Sequence, residues 1–256
     1  MIKLNREIDF SKIRLLIFDL DGTLIDSRQD LVNSSNHLRA VMARPPLDDT
    51  TISSYVGDGA RFLVRRLLDG SADEALVDRG LKIFLEYYRQ HMLDHTVLYP
   101  GVLEALNEIK LSPAGSARTM TVLTNKPVRF SRLILEGLGV ANHFRSIYGG
   151  NSFEQKKPDP MGCRIILEET GIAPEAALMV GDSDVDILTG RNADIATCGV
   201  TYGLGLERMK ATPPDVQVDD LRELAALLNG RPPRLAPPSN SSTRSSQSCP
   251  ETAVSD

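Results

Sequence analysis

The sequence predicts an α/β protein, a doubly wound parallel sheet with an inserted all-helical cap domain, and three observations predict it. Apolar runs such as Leu15-Leu16-Ile17-Phe18, Met120-Thr121-Val122-Leu123 and Ala177-Leu178-Met179-Val180 each run into polar residues, as strands buried on both faces do. From residue 99 onward, helical periodicities alternate with such runs, which implies a parallel sheet with helices on both faces. Between the first run and the second lie about 70 residues of helical pattern, too long for an ordinary βα crossover.

Leu15 to Phe18 is the first strand, and it runs into Asp19-Leu20-Asp21-Gly22-Thr23-Leu24. In an extended chain residues i and i+2 project the same way, so Asp19 and Asp21 can face one site at the strand's carboxyl end. Ligands of open α/β sheets bind at that edge. Gly22 allows a sharp turn and a close approach of backbone to ligand. Leu31, Val32, Leu38, Val41 and Met42 then mark a helix, interrupted by Pro45-Pro46. Phe62, Leu63, Leu67 and Leu68 mark another, ending at Asp69-Gly70. Val77, Leu81, Phe84, Leu85, Tyr88 and Met92 recur at the three- and four-residue spacings of an amphipathic helix. Nothing here reads as a strand. Residues 26–98 are therefore expected to form a separate helical cap, with 13–25 and 99–228 as the catalytic core.

After Tyr99-Pro100-Gly101 the alternation resumes with a helix from Val102 to Lys110, the strand ending at Thr124, and a helix from Pro127 to Leu138. A short strand at Ser146 to Tyr148 and a helix from Asp159 to Thr170 follow. The Met179 strand, a helix after Asp184 and a strand from Ile195 to Val200 complete the pattern. Asp215 to Val218 adds an edge strand, and Leu221 to Leu228 a final helix. Residues 229–256, with Pro232-Pro233, Pro237-Pro238 and Ser239-Asn240-Ser241-Ser242, hold almost nothing that packs and are expected to be a disordered tail.

Composition narrows the function. A hydrophobic share of 41% and a charged share of 25% are ordinary for a soluble globular chain. Net charge −5 argues against non-specific nucleic-acid binding, which needs a basic surface. No segment approaches the roughly 18 apolar residues of a membrane span. The start, Met1-Ile2-Lys3-Leu4-Asn5-Arg6-Glu7, lacks the apolar core of a signal peptide. Cys163, Cys198 and Cys249 are few and widely separated, which fits a reducing cytoplasm. His91 and His95 have a zinc-compatible spacing, but no third ligand accompanies them and a helix surface explains both. Gly203-Leu204-Gly205 lacks the third glycine and ribose-binding acid of a dinucleotide fingerprint and reads as a loop rim.

The strand ends carry the chemistry. Two carboxylates as close as Asp19 and Asp21 repel unless a cation lies between them, and hard Mg²⁺ prefers oxygen ligands. A carboxylate can also attack phosphorus, as in aspartyl-phosphate enzymes. Thr124-Asn125-Lys126 offers a hydroxyl, an amide and an amine; Lys156-Lys157-Pro158-Asp159-Pro160 offers a cation; Asp182-Ser183-Asp184-Val185-Asp186 is an acidic cluster. Each alone has a plainer explanation: solvated turn aspartates, a helix cap at Thr124-Asn125, a surface charge at Lys157, first-turn acids at Asp182 to Asp186.

Together, in this order on strand ends of one α/β pattern, these segments resemble the four motifs of the haloacid dehalogenase-like (HAD) phosphatases over residues 13 to 228. Tyr55-Val56-Gly57-Asp58-Gly59-Ala60 and Gly199-Val200-Thr201-Tyr202-Gly203-Leu204-Gly205 are similar to phosphoglycolate phosphatases in particular. The resemblance implies a Mg²⁺-dependent phosphomonoester hydrolase with a helical cap, acting on a small phosphorylated metabolite, 2-phosphoglycolate being the best single candidate. It implies that Asp19 is the nucleophile and Asp21 the general acid and base. Asp19, the backbone carbonyl of Asp21 and Asp182 would hold the metal. Thr124 and the N–H of Asn125 would bind phosphate, Lys157 would neutralise transferring charge, and Asp186 would orient Lys157 or a metal-bound water. A sugar phosphomutase or sugar-phosphate phosphatase on the same core is the alternative. A non-catalytic binding module is disfavoured by the presence of Asp19, Asp21, Thr124, Lys157 and Asp182 together.

Two departures and one cap residue complete the reading. Asp194 stands where relatives often have Gly, and Arg44 where a turn Gly is common. The turn Gly57-Asp58-Gly59-Ala60 opens a helix carrying Arg61, Arg65 and Arg66. Arg61, in the first turn, is expected to bind a substrate carboxylate, with Arg65 and Arg66 on a solvated face.

Overall fold

A computed structural model describes residues 2–70, 72–111 and 117–231; all but the first three residues of the expected tail lie outside this range. The first half of the chain holds β1 (Lys3–Leu4), β2 (Leu15–Phe18), β3 (Ile25–Asp26), α1 (Arg28–Val41), α2 (Asp49–Ser54), α3 (Ala60–Leu67), α4 (Glu74–His91) and β4 (Val97–Leu98). The alternating half follows with α5 (Val102–Lys110), β5 (Thr119–Leu123), α6 (Val128–Gly137), β6 (Ser146–Tyr148), α7 (Met161–Thr170), β7 (Ala177–Gly181), α8 (Asp184–Asn192), β8 (Ala196–Val200), α9 (Leu206–Lys210), β9 (Val216–Val218) and α10 (Leu221–Leu228).

Seven strands form one sheet in the order β1-β9-β8-β7-β2-β5-β6, parallel throughout except for β1 against β9. The apolar runs identified in the sequence occupy its centre, where every residue of β2 and β7 is buried. Period-two alternation divides them between the faces. Leu16, Phe18, Val122 and Val180 join one apolar core, and Leu15, Ile17, Leu123 and Met179 the other. The register sets the site: Phe18 pairs with Val122 and with Val180, so the chain leaves all three strands at one level.

The helices between β3 and β4 pack on one another, α4 lying against α1 and α3, and α2 against α1. Short acids cap them, with Asp48 accepting from Thr51 N–H and Asp73 from Leu76 N–H. Buried Asp30 ties the far end of this segment back to its start, accepting from the N–H groups of His95 and Thr96 and from the Thr96 hydroxyl.

The structure corrects the sequence reading in two places. Val216–Val218 is not an edge, because β1 pairs outside it. The segment expected to lack strands carries a two-residue strand at each end, Ile25 pairing with Leu98 and Asp26 with Val97. Two residues are too few to express a period, so neither β1 nor this ribbon leaves a pattern in the sequence. Val41 and Phe62, counted as apolar helix markers, are half exposed.

Asp194 adopts φ 59°, the left-handed region where glycine is at ease, while the corresponding strain near Arg44 falls one residue earlier, on Ala43 at φ 52°. Ala43→Gly is expected to stabilise the protein by about 0.5–1 kcal/mol, the relief of left-handed strain less the entropy glycine adds to the unfolded chain. Urea denaturation of the two proteins checks this, and a lower midpoint for the variant would contradict it.

Candidate active site

Asp19 leaves β2, Asp182 leaves β7, and Asp186 sits in the first turn of α8. All three are buried, and each has a carboxylate oxygen within 4.8 Å of the others. Lys157 supplies the opposing charge: its Nζ lies 2.7 Å from Asp19 Oδ1 and 2.6 Å from Asp186 Oδ1. The other oxygen of Asp186 accepts from the N–H and hydroxyl of Ser183, at 3.1 and 2.8 Å. Both oxygens of Asp186 are therefore committed to the protein, and it acts as the strut behind Lys157.

Asp182 is held from the opposite side. Its Oδ2 accepts from the N–H groups of Leu204 and Gly205, at 2.7 and 2.8 Å. The segment expected to be a loop rim is thus a backbone cradle for a carboxylate. A β-carbon at Gly22 or Gly203 would overlap the Asp182 side chain, and Gly22 also has φ 89°. Both glycines are required by this close approach.

One ammonium stands against three buried acids. Burial, then repulsion from Asp186 and Asp21, pushes Asp19 up to about 6 despite the nearby Lys157. Burial, with Asp186 and Asp19, pushes Asp182 up to about 8, although the Leu204 and Gly205 N–H groups oppose the shift. Burial works against the charge on Lys157, but Asp186 and Asp19 more than offset it and hold the ammonium above its usual range. Among the described residues Asp19 Oδ2 takes no hydrogen bond, and Asp182 Oδ1 takes only a long one from Thr23, at 3.4 Å. Hard oxygen donors with uncompensated negative charge fit a divalent cation, and Asp19 and Asp182 are the carboxylates with oxygens to offer it.

Asp21 lines the same cleft as Asp19 but is held by a different set of partners. Lys126 Nζ lies 2.9 and 3.1 Å from its two oxygens, and the Ser27 hydroxyl donates to it at 2.5 Å. Lys126 also lies over the Tyr88 ring, 4.6 Å from its centroid. Sequence reasoning noted Lys126 as an amine at a strand end but gave it no partner, and it missed Ser27 and Tyr88. A lysine directly behind a buried strand was the available signal, since a buried ammonium needs an acid.

Thr124 and Asn125 are buried where β5 ends, beside Asp19 and Asp21 in the lining of one cleft. Asn125 Nδ2 donates to the carbonyls of Gly57 and Lys157, at 2.9 and 3.0 Å, linking the loop before α3 to the end of the sheet. Apolar side chains of α3, α4 and α6, including Leu63, Phe84 and Phe130, wall the cleft.

Arg61 does not join this site. Its guanidinium pairs with Asp78, at 2.6 Å, and with Glu74, on an exposed face toward α4. Successive helical residues rotate by about 100°, so Ala60 faces the cleft and Arg61 turns from it. Arg65 also pairs with Glu74, and Arg66 with Asp58 at 2.6 Å. His91 bonds Asp94 through Nδ1 at 2.7 Å.

The raised acids give stability a definite pH dependence. Asp19 and Asp182 bind protons in the folded, metal-free protein that they release when it unfolds above the ordinary carboxylate value of 3.8. Their contribution is complete below that value and is lost as pH rises through about 6 and about 8. Denaturation of chelated protein across this range, referenced to Asp182→Asn, is expected to show the loss. Added divalent cation is expected to restore stability most at the alkaline end, because it competes with those protons. A pH-independent difference would contradict the charge arrangement.

Comparison with known proteins agrees with this geometry. A family model described as "Haloacid dehalogenase-like hydrolase" matches residues 16–200. The phosphoglycolate phosphatase of Pseudomonas putida is 38% identical over 218 residues, covering 82% of this chain and 78% of its own. That of Chromobacterium violaceum is 36% identical over 225 residues, covering 86% and 99%. The crystal structure of a predicted phosphoglycolate phosphatase from Haemophilus somnus superposes with a TM-score of 0.78 at 29% identity, covering 84% of this chain and 98% of that one. Among the described residues no helix is long and apolar enough to cross a membrane. A mostly parallel sheet whose strand ends gather Asp19, Lys157, Asp182 and Asp186, and a family match over most of the chain, lead to one conclusion: the protein belongs to the haloacid dehalogenase-like hydrolase family.

Proposed function

We propose that the protein is a Mg²⁺-dependent phosphomonoester hydrolase working through an aspartyl-phosphate, with 2-phosphoglycolate as substrate. The observation that carries the reading is Asp19 itself: a buried carboxylate with one oxygen held by Lys157 and the other free of hydrogen bonds among the described residues. The relatives' names supply the substrate.

Asp19 attacks phosphorus through a carboxylate oxygen while the ester P–O bond breaks, and Asp21, entering the step as the carboxylic acid, gives its proton to the departing alkoxide oxygen and is left as the carboxylate. In the second half Asp21 takes a proton from the water that attacks the phosphorus of the intermediate, releasing phosphate and regenerating Asp19. The Thr124 hydroxyl, the Asn125 N–H and the Lys157 ammonium bind the phosphoryl oxygens, whose charge must be neutralised in the transition state. Asp186 keeps Lys157 directed at Asp19. Asp19, the Asp21 carbonyl and Asp182 would hold Mg²⁺, which supplies further charge neutralisation of the phosphoryl group when bound. Residues 26–98 act as a cap over the cleft, with the β3–β4 ribbon as its tether, and exclude bulk water from the reaction.

The test is a panel of small phosphomonoesters with purified protein. 2-Phosphoglycolate is expected to give the highest kcat/KM. Chelation should abolish turnover, with Mg²⁺ restoring it and Ca²⁺ doing so poorly, because Ca²⁺ takes more oxygen ligands at longer distances. Asp19→Asn is expected to lower kcat by at least about a thousandfold with an unchanged far-UV spectrum. An undiminished rate in that variant would remove the nucleophile assignment, and full activity after exhaustive chelation would remove the metal.

A further inference from the structure

Among the described residues lining the main cleft, Lys126 is the sole basic side chain. Its side chain is only 5% exposed, and Asp21 compensates its charge. Asp21 has independent support from the Ser27 hydroxyl, so it keeps a hydrogen bond when the ammonium is shared with another anion. An ammonium offers three donors, more than one carboxylate on one side of it requires.

The second observation is Tyr88. Tyr88 lines the same cleft, and its buried hydroxyl makes no well-formed hydrogen bond among the described residues, although the Lys126 ammonium lies close beside it. A buried donor left unmade is costly, and a native fold tolerates it where a ligand completes the bond. Desolvation pushes this phenol up to about 12, so it stays protonated at neutral pH. Away from the strand ends that carry Asp19, Asp21, Thr124 and Asn125, the walls are apolar, with Leu63, Phe84 and Phe130 among them. A hydroxyl-rich sugar would strand its hydroxyls there. A second phosphate would bring two charges to one ammonium, whereas a carboxylate brings one.

We propose that Lys126 and the Tyr88 hydroxyl form a subsite for a carboxylate on the substrate, Lys126 being shared between that carboxylate and Asp21. The subsite rests on the reading of the neighbouring site as a phosphoester site, and it assigns to Lys126 the role expected of Arg61. Specificity for the acidic organic half is then read beside the reacting centre.

The experiment is calorimetric binding to the Mg²⁺-loaded protein of two non-hydrolysable phosphonates, 3-phosphonopropionate and its uncharged counterpart propylphosphonate. Wild type is expected to prefer the carboxylated ligand by about 10- to 100-fold, the worth of one charge-assisted hydrogen bond. Lys126→Gln, which keeps a donor for Asp21, is expected to reduce the preference below about threefold, and Tyr88→Phe to reduce it by about three- to tenfold. Lys126→Arg should retain most of it. The preference is a ratio within each protein, so effects on turnover through Asp21 do not enter, and Tyr88→Phe with Lys126→Arg decides the matter if Lys126→Gln does not fold. No preference in wild type, or a preference unchanged by Lys126→Gln and Tyr88→Phe, would overturn the subsite. Selective binding by a wild type that hydrolyses no phosphomonoester would overturn the proposed reaction and leave the subsite standing.

Discussion

The contact between Lys157 and the carboxylates of Asp19 and Asp186 is the constraint around which the sheet's carboxyl end is built. A buried ammonium is tolerable only with acids at hydrogen-bond distance, and buried acids in excess of the ammonium are tolerable only with protons or a cation. Removing any one member leaves an unpaired charge in a low-dielectric setting. That is why Asp186 has both its oxygens fixed by the chain, and why Asp182 rests on backbone N–H groups and not on a second lysine. The cluster is assembled two protons or one divalent cation short of neutrality, which is a chemical statement about what it binds.

Positional accuracy in this cluster comes from the sheet. Phe18, Val122 and Val180 are level neighbours in three adjacent strands, so the residues that follow emerge together. The apolar cores on the two faces hold that register, since a slip of one residue would exchange every side chain between faces. Packing far from the chemistry thereby fixes the distances between Asp19, Asp182 and the end of β5.

Much of this was legible before any coordinates. Asp19, Thr124, Asn125 and Asp182 follow apolar runs long enough to show burial, and their emergence at one edge follows from parallel topology. The Asp21–Lys126 pair was not legible, because it joins residues remote in sequence and no local pattern encodes it. Ser27 and Tyr88 were hidden for the same reason. The direction of Arg61 was lost because α3 spans only Ala60 to Leu67, and its three arginines fall on more than one face. The roles of Leu204 and Gly205 belong to backbone N–H groups, which side-chain reading does not weigh.

The β3–β4 ribbon carries a further consequence, for evolvability. Because Ile25 pairs with Leu98 and Asp26 with Val97, the chain leaves the neighbourhood of the sheet and returns to it through adjacent residues. Buried Asp30 fastens that junction a second time. From the standpoint of the sheet, everything between is a closed loop, and doubling a loop's length changes its closure entropy by only about 0.6 kcal/mol. The helical segment can therefore lengthen, shrink or be replaced without disturbing the register that positions Asp19. Lys126, Asp21 and Asn125 lie on the sheet side of the junction, while Tyr88 and Gly57 lie beyond it. Change within the segment reshapes the apolar walls of the cleft that Leu63 and Phe84 form, while the sheet register holds Asp19 in place.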